Sequence, residues 1–420
     1  MPRLAPLLAG VACLAATSPH LSYAETNPVL FWNEQALNAT RLARNPPPVS
    51  ALWFGSYHAA IADAVNGIEQ RWEPWLVKES APAGANVDAA IAAAARTMLR
   101  QIWGQQANPR LFDVAYTDAL AAIPDGPGKD AGLAWGQKVA EAVLTQRSLS
   151  GFKVAPKYLP SDAPGKWRPT APDFRAGVTP QMATTQPFVL QKPNQFRAPP
   201  PPPVDSKAYA EELMHVMRVG SRDDADRSEY DTLSVPFWAD GLGTAGPSGH
   251  WNEITARIAR DRGLDTIECA RLFALLNFAA ADGFITAWDS KYFYNTARPE
   301  TDARELTAEI NPYFKPDPDF IPSMASLPFP AYISAHMTFT SAAVRVLQRY
   351  FGTDEVAFSI GSDALPGVVR DYQTLSSVRE EVGASRIFGG IHFPMDVDAA
   401  RIAGIHVGDW VFENSLQPQH

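Results

Sequence analysis

The sequence predicts an all-α protein: helical bundles wrapped by a long proline-rich segment. Apolar residues recur at helical spacing over long stretches, and few stretches alternate apolar with polar as a half-buried strand would. Between the helical regions, residues 153–206 are dense in proline and end in the run Pro199-Pro200-Pro201-Pro202-Pro203. Missing amide donors and fixed φ exclude long helices there.

Residues 1–24 read as an export signal. Arg3 precedes an apolar stretch over 5–16, and Ser22-Tyr23-Ala24 fits a small-x-small cleavage site. The expected location is periplasmic or secreted. That stretch is shorter than the ~20 residues a span needs, and no later segment reaches that length without charges, so no membrane span is expected. Removing the signal takes Cys13 and leaves Cys269 alone, so the fold must rest on its core rather than on a disulfide. With 420 residues, 46% of them apolar, the chain has enough material for a large one.

Helical periodicity marks 31–44, 51–69, 86–103 and 130–147, forming an N-terminal helical region over 25–152. The proline-rich segment 153–206 follows. Trp167, Phe174, Phe188 and Phe196 punctuate it, which suggests an ordered wrap packed on helices. Helices resume near 208, and segments near 223–238, 251–260, 265–294, 336–351, 372–388 and 395–413 make a C-terminal helical catalytic region over 207–420. Gly352 and Gly361 punctuate its boundaries. No internal repeat is visible. The net charge of −9 argues against a nucleic-acid partner, so any anion site has to be local.

Three basic motifs supply one. The first is Lys291-Tyr-Phe-Tyr-Asn-Thr-Ala-Arg298-Pro299. If the helix holds, Lys291 and Arg298 project from one face, although Pro299 disfavours helical geometry at Arg298. Arg offers a planar fork to an oxyanion, Lys a point charge. The second motif is Pro330-Ala-Tyr-Ile-Ser334-Ala335-His336. Ser334 is a natural N-cap, the free amides behind it can bind an anion, and His336 in the first turn can move a proton. The third is Ser385-Arg386-Ile-Phe-Gly389-Gly390-Ile-His392, with Asp396 four residues on. Asp396 can hold one imidazole nitrogen and leave the other free to attack or ligate.

In this order the motifs resemble the vanadium-dependent haloperoxidases, within the wider type 2 phosphatidic acid phosphatase superfamily. The superfamily pattern is Lys-x6-Arg-Pro, Pro-Ser-Gly-His and Ser-Arg-x5-His. This chain departs only in the second motif, with Ala335 where Gly is usual and Ile333 where Pro is usual. Trp288 and Phe329 resemble halide-pocket aromatics of the chloroperoxidase type. Asp240, in Phe237-Trp238-Ala239-Asp240-Gly241, resembles the carboxylate that pairs with the first-motif Arg, here Arg298. Segments 30–33 and 57–64 resemble the family's N-terminal helices, so the likeness spans most of the mature chain.

The resemblance implies an all-α helical-bundle fold and vanadate as cofactor. His392 would ligate vanadium, oriented by Asp396. Lys291, Arg298, Ser334, the Ala335 amide and Arg386 would neutralise the oxyanion. His336 would be the acid/base, Lys291 would sharpen peroxide polarisation, and Trp288 and Phe329 would line the halide pocket. Hydrogen peroxide, a halide and a small organic acceptor would be the partners, with hypohalous acid the product. The same residues would equally serve an acid phosphatase working through a phosphohistidine at His392, or a non-catalytic oxyanion-binding homologue. Halide preference, organic substrate and homo-oligomerisation stay open. Gly241-Leu-Gly243-Thr-Ala-Gly246 matches a dinucleotide pattern but lacks the surrounding strand–helix–strand alternation. His58, His215, His250 and His406 have no zinc spacing and read as structural.

Overall fold

The computed structural model describes residue 23 and residues 26–223 and 226–419. Most of the proposed export signal therefore lies outside the described residues. Among the described residues thirteen α-helices run in order: α1 Pro28–Ala43, α2 Pro47–Glu69, α3 Val87–Ile102, α4 Pro109–Ala121, α5 Pro127–Ser148, α6 Lys207–Gly220, α7 Glu229–Phe237, α8 Gly246–Asp261, α9 Thr266–Tyr294, α10 Pro299–Glu305, α11 Ala335–Phe351, α12 Leu375–Phe388 and α13 Pro394–Asn414. A single antiparallel hairpin, β1 Glu355–Gly361 with β2 Val369–Thr374, precedes α12.

The helices form two groups around a shared centre. α2 packs on α3 and α5, α9 packs on α11 and α13, and α2 and α9 pack on each other. α9 starts at a capping box made by Asp265 and Glu268 and stops at Asn295, which adopts the left-handed conformation with its N–H bonded to the Lys291 carbonyl. By length and composition alone α9 could cross a membrane, although Asp282, Asp289 and Lys291 interrupt its apolar run as expected; here nearly all of its apolar stretch is buried inside the fold.

The two groups use the same devices, a repetition invisible in the sequence. On α5, a Cβ at Gly132 would lie 2.3 Å from the Asn86 carbonyl oxygen and one at Gly136 would lie 2.0 Å from that of Ala90. On α13, a Cβ at Gly404 would lie 2.2 Å from the Thr338 oxygen and one at Gly408 would lie 2.7 Å from that of Ala342. Each pair, four residues apart, lets two helices touch backbone to backbone. Each central helix also buries an aspartate that accepts three successive backbone amides. Asp63 takes Trp75, Leu76 and Val77 at 2.8–2.9 Å, and Asp282 takes Phe188, Val189 and Leu190 at 2.7–3.0 Å.

The proline-rich segment is an ordered wrap, with only a short 3₁₀ turn, Pro180–Thr184. Trp167 and Phe188 are buried, and Phe196 packs on the core from a half-buried position; Phe174 is exposed. α9 anchors it. Beyond Asp282, Asp289 forms a two-point ion pair with Arg197 at 2.7 Å, and the Val178 carbonyl accepts from Trp288 Nε1 (3.2 Å) and the Tyr292 hydroxyl (2.9 Å).

Several boundaries differ from expectation. The predicted helix over 372–388 begins as strand β2, because Tyr372 turns into the core against Phe358 and Thr374 then caps α12. The helix expected from 223 starts at Glu229, where Ser228 and Asp231 form a capping box. α4 and α10, each with Pro at its first turn, were unanticipated.

Candidate oxyanion site

Three chain segments meet at the carboxyl end of α9. Lys291, in the last turn of α9, is fully buried, and its Nζ donates to the carbonyls of Pro330 (2.8 Å) and Ala331 (2.7 Å). The ammonium thereby clamps the loop that delivers Ser334. Arg298 does not continue the helix as a two-turn spacing would require. α9 ends at Tyr294, and Arg298 sits in extended backbone as the residue before α10. That break swings its guanidinium inward, where Nε donates to the Phe329 carbonyl (2.8 Å) and Nη1 to that of Ile391 (2.8 Å) and to His392 Nε2 (3.2 Å).

Ser334 caps α11 as expected, its Oγ accepting from the Met337 amide at 3.4 Å and its own amide bonding the Asp396 carbonyl at 3.0 Å. Ala335 is the first helical residue, so its amide is one of the free donors of the helix start, and helical φ suits its side chain. His336 follows in the first turn, its ring 5.5 Å from that of Phe339. Arg386, in the last turn of α12, donates Nε to Ser385 Oγ (3.0 Å) and Nη2 to the Val235 carbonyl (3.3 Å). His392 lies between α12 and α13, and its Nδ1 bonds Asp396 Oδ2 at 2.8 Å. Asp396 also accepts the Phe393 amide at 3.1 Å, so the carboxylate is fixed before it fixes the imidazole. With Nδ1–H committed to Asp396, the lone pair of His392 is on Nε2.

Charge decides what this arrangement wants. Lys291, Arg298 and Arg386 are buried and face two carboxylates, Asp396 and Asp240. Burial lowers the guanidinium of Arg298 to about 9 and that of Arg386 to about 10. Burial and the neighbouring Arg298 pull Lys291 well below its usual value. Burial and the surrounding cations also hold His336 and His392 far below the ordinary imidazole range, so both are neutral at pH 7. Two donors, Arg298 Nη2 and Arg386 Nη1, and one imidazole nitrogen, His336 Nε2, are buried without a partner among the described residues. Buried donors and an excess of buried cations are stabilised by a multi-oxygen anion. The donor set fits vanadate: guanidinium, ammonium, hydroxyl and helix-start amide groups for its oxygens, and for the metal the lone pair of His392 Nε2, which here accepts from Arg298 Nη1.

Trp288 and Phe329 flank the cage. Their rings lie 4.9 Å apart, and the Phe329 ring covers both Lys291 Nζ (5.1 Å) and the Arg298 guanidinium (4.8 Å). His336 is 8% exposed where Lys291, Arg298, Ser334 and Arg386 are 0%, which puts the solvent side of the cage at His336.

The partner expected for Asp240 is corrected. Its Oδ1 bonds His250 Nδ1 at 3.1 Å and its charge acts on Arg386, whereas the carboxylate acting on Arg298 is Asp396. The reason is topological: Asp240 follows α7, which packs on α12, the helix of Arg386. Sequence reasoning missed His250 as the partner of Asp240. The only signal for His250 was its place just beyond a Gly-rich loop that starts at a motif-like aspartate.

A helical bundle brings three basic motifs and two imidazoles together around one buried position whose charge suits an oxyanion. The chain is similar to vanadium-dependent haloperoxidases and has the helical fold of their solved structures. Residues 271–419 match the family described as the VCPO second helical-bundle domain. The chain is 26% identical to the vanadium chloroperoxidase of Curvularia inaequalis, across 90% of this chain and 80% of that protein. It superposes on a bacterial vanadium-dependent iodoperoxidase with a TM-score of 0.79 at 23% identity, covering 94% of this chain and 98% of that one. An apo-type bacterial vanadium-dependent chloroperoxidase gives 0.70 at 16% identity, covering 90% and 94%.

Proposed function

We propose that the protein is a vanadate-dependent haloperoxidase, exported to the periplasm or medium, that uses hydrogen peroxide to oxidise a halide to hypohalous acid and passes the oxidised halogen to a small organic acceptor. The observation carrying this reading is the convergence of the unpartnered Arg298 Nη2, Arg386 Nη1 and His336 Nε2 beside His392 Nε2, whose lone pair accepts from Arg298 Nη1. Bound there, vanadate would supply a Lewis acid that activates peroxide toward halide. Arg298, Arg386, Ser334 and the Ala335 amide would hold its oxygens, and His392, steadied by Asp396, would ligate it. Lys291 would add its charge from behind the Ser334 loop. His336, neutral and on the solvent side, would take the proton from incoming peroxide and return one to the departing oxygen. Trp288 and Phe329 would give the halide a desolvated position beside the cage.

The aromatic pair favours this reading over a phosphatase, whose leaving group would need no such pocket. The names of the relatives support it without fixing the halide. The test is halogenation of a phenolic dye with peroxide and bromide or iodide, before and after vanadate loading. Vanadate-dependent turnover is expected. Its absence, with brisk p-nitrophenyl phosphate hydrolysis, would hand the site to phosphohistidine chemistry. Sequencing the N-terminus of the exported protein, expected at Glu25, tests the location.

A further inference from the structure

The segment from α7 into the α7–α8 turn borders the cage. The Val235 carbonyl of α7 accepts from Arg386 Nη2 at 3.3 Å, and the charge of Asp240, in the turn, acts on the same guanidinium. Asp240 adopts φ +46°, a left-handed conformation that a non-glycine residue keeps only when its surroundings hold it there. The hold on its side chain is His250 Nδ1, 3.1 Å from Oδ1. Because a carboxylate only accepts, the imidazole donates.

His250 is itself immobilised. It is 3% exposed and stacks on Trp238 with centroids 4.7 Å apart and planes 26° apart, while the Trp238 indole bonds Glu381 at 2.8 Å. On its far side stand Glu253 and Asp363, both paired with Arg41 of α1, and Asp363 also accepts the Ala245 amide at 2.9 Å. The turn is therefore clasped at both ends, by His250 at Asp240 and by Asp363 at Ala245.

We propose that His250 is a positioning residue of the oxyanion cage: by donating to Asp240 it fixes the left-handed turn that ends α7, and so sets the Arg386 guanidinium that α7 holds through the Val235 carbonyl. This rests on the cage reading above only in requiring that the cage bind an oxyanion. The role differs from core packing in one respect: it needs the donor at Nδ1 and not merely the ring. Asn reaches a donor nitrogen through the same number of bonds from Cα as Nδ1; Gln reaches one bond further; Leu has none.

The experiment is calorimetric titration of the purified full chain with orthovanadate and with orthophosphate, using wild type, His250→Leu, His250→Asn and His250→Gln, alongside urea unfolding of each. Loss of a side chain that orients ligating groups weakens binding roughly ten- to a hundredfold. His250→Leu is expected to weaken vanadate binding by at least about tenfold, and His250→Asn to recover most of it although it also loses the stacked ring. Equal weakening in His250→Leu and His250→Asn, or none in His250→Leu, overturns the role of His250. Wild type that binds neither anion overturns the cage reading, and this inference with it. If His250→Leu does not fold, the Asn and Gln variants decide: Asn near wild type with Gln weaker supports the proposal, and equal affinities overturn it.

Discussion

Replacing Gly404 by Ala probes how the second and third motifs are brought together. α11 delivers Ser334 and His336, α13 carries Asp396 and follows His392 directly, and the two helices meet backbone to backbone at Gly404. The new Cβ would stand 2.2 Å from the Thr338 carbonyl and 2.7 Å from Ser341 Cβ, where contacts under 3.0 Å are essentially never seen. Because the nearest obstacle is backbone, the helices must part by about 0.8 Å. Overpacking of this kind costs about 1–3 kcal/mol, and the better helix propensity of Ala returns about 1 at most. Gly136→Ala makes an equivalent clash in the other bundle, 2.0 Å from the Ala90 carbonyl. Both variants should lower the urea midpoint, with net losses of about 1–2 kcal/mol. Only Gly404→Ala should disturb the cage, and a displacement near 1 Å can lower turnover about a hundredfold. The assay is urea unfolding beside orthovanadate calorimetry and dye halogenation. Gly136→Ala weakening vanadate binding as much as Gly404→Ala, or Gly404→Ala leaving it untouched, would refute the claim that this contact sets the site.

His392→Ala should abolish vanadate binding by calorimetry while preserving the helical circular dichroism spectrum; retained binding would remove His392 as the ligand. Asp282→Ala leaves three backbone amides, two of them buried, without an acceptor and should cost at least about 2 kcal/mol in urea unfolding, against little change for an exposed carboxylate such as Asp125. Burial lowers His58 from 6.5 to about 3. The unfolded chain therefore binds its proton first, so the stability that a neutral His58 permits is present above pH 6.5 and is lost as pH falls toward 3, by about 1.4 kcal/mol per unit. Urea midpoints of wild type and His58→Phe between pH 7 and 5 should diverge by that slope, and parallel curves would show that His58 does not titrate on unfolding.

The side chains that converge were more legible than the packing that brings them together. Lys291, Arg298, Ser334, His336, Arg386 and His392 were readable because each motif pairs a charge or imidazole with a local stop signal: Pro299, the Ser334 cap, the Gly389-Gly390 break. That Arg298 leaves the helix was signalled by Pro299, but where α9 stops was not readable, because the αL stop at Asn295 comes before the visible proline. The partner of Asp240 depends on which helix α7 packs against, a long-range fact that local patterns do not carry. Strand β2 was misread because its inward Tyr372 and outward Asp371 fit a helix face equally well over so few residues. Shared devices in the two bundles escaped because glycine pairs and lone aspartates look alike whether or not anything packs against them.

Those shared devices leave the first bundle as a chassis without an engine. Asn86 starts α3 as Ser334 starts α11, but two residues in stands Asp88 instead of His336. A carboxylate in that opening turn repels the anion its counterpart attracts. The amino-terminal half can thus stiffen the molecule without competing for the guest that the other half is built to hold.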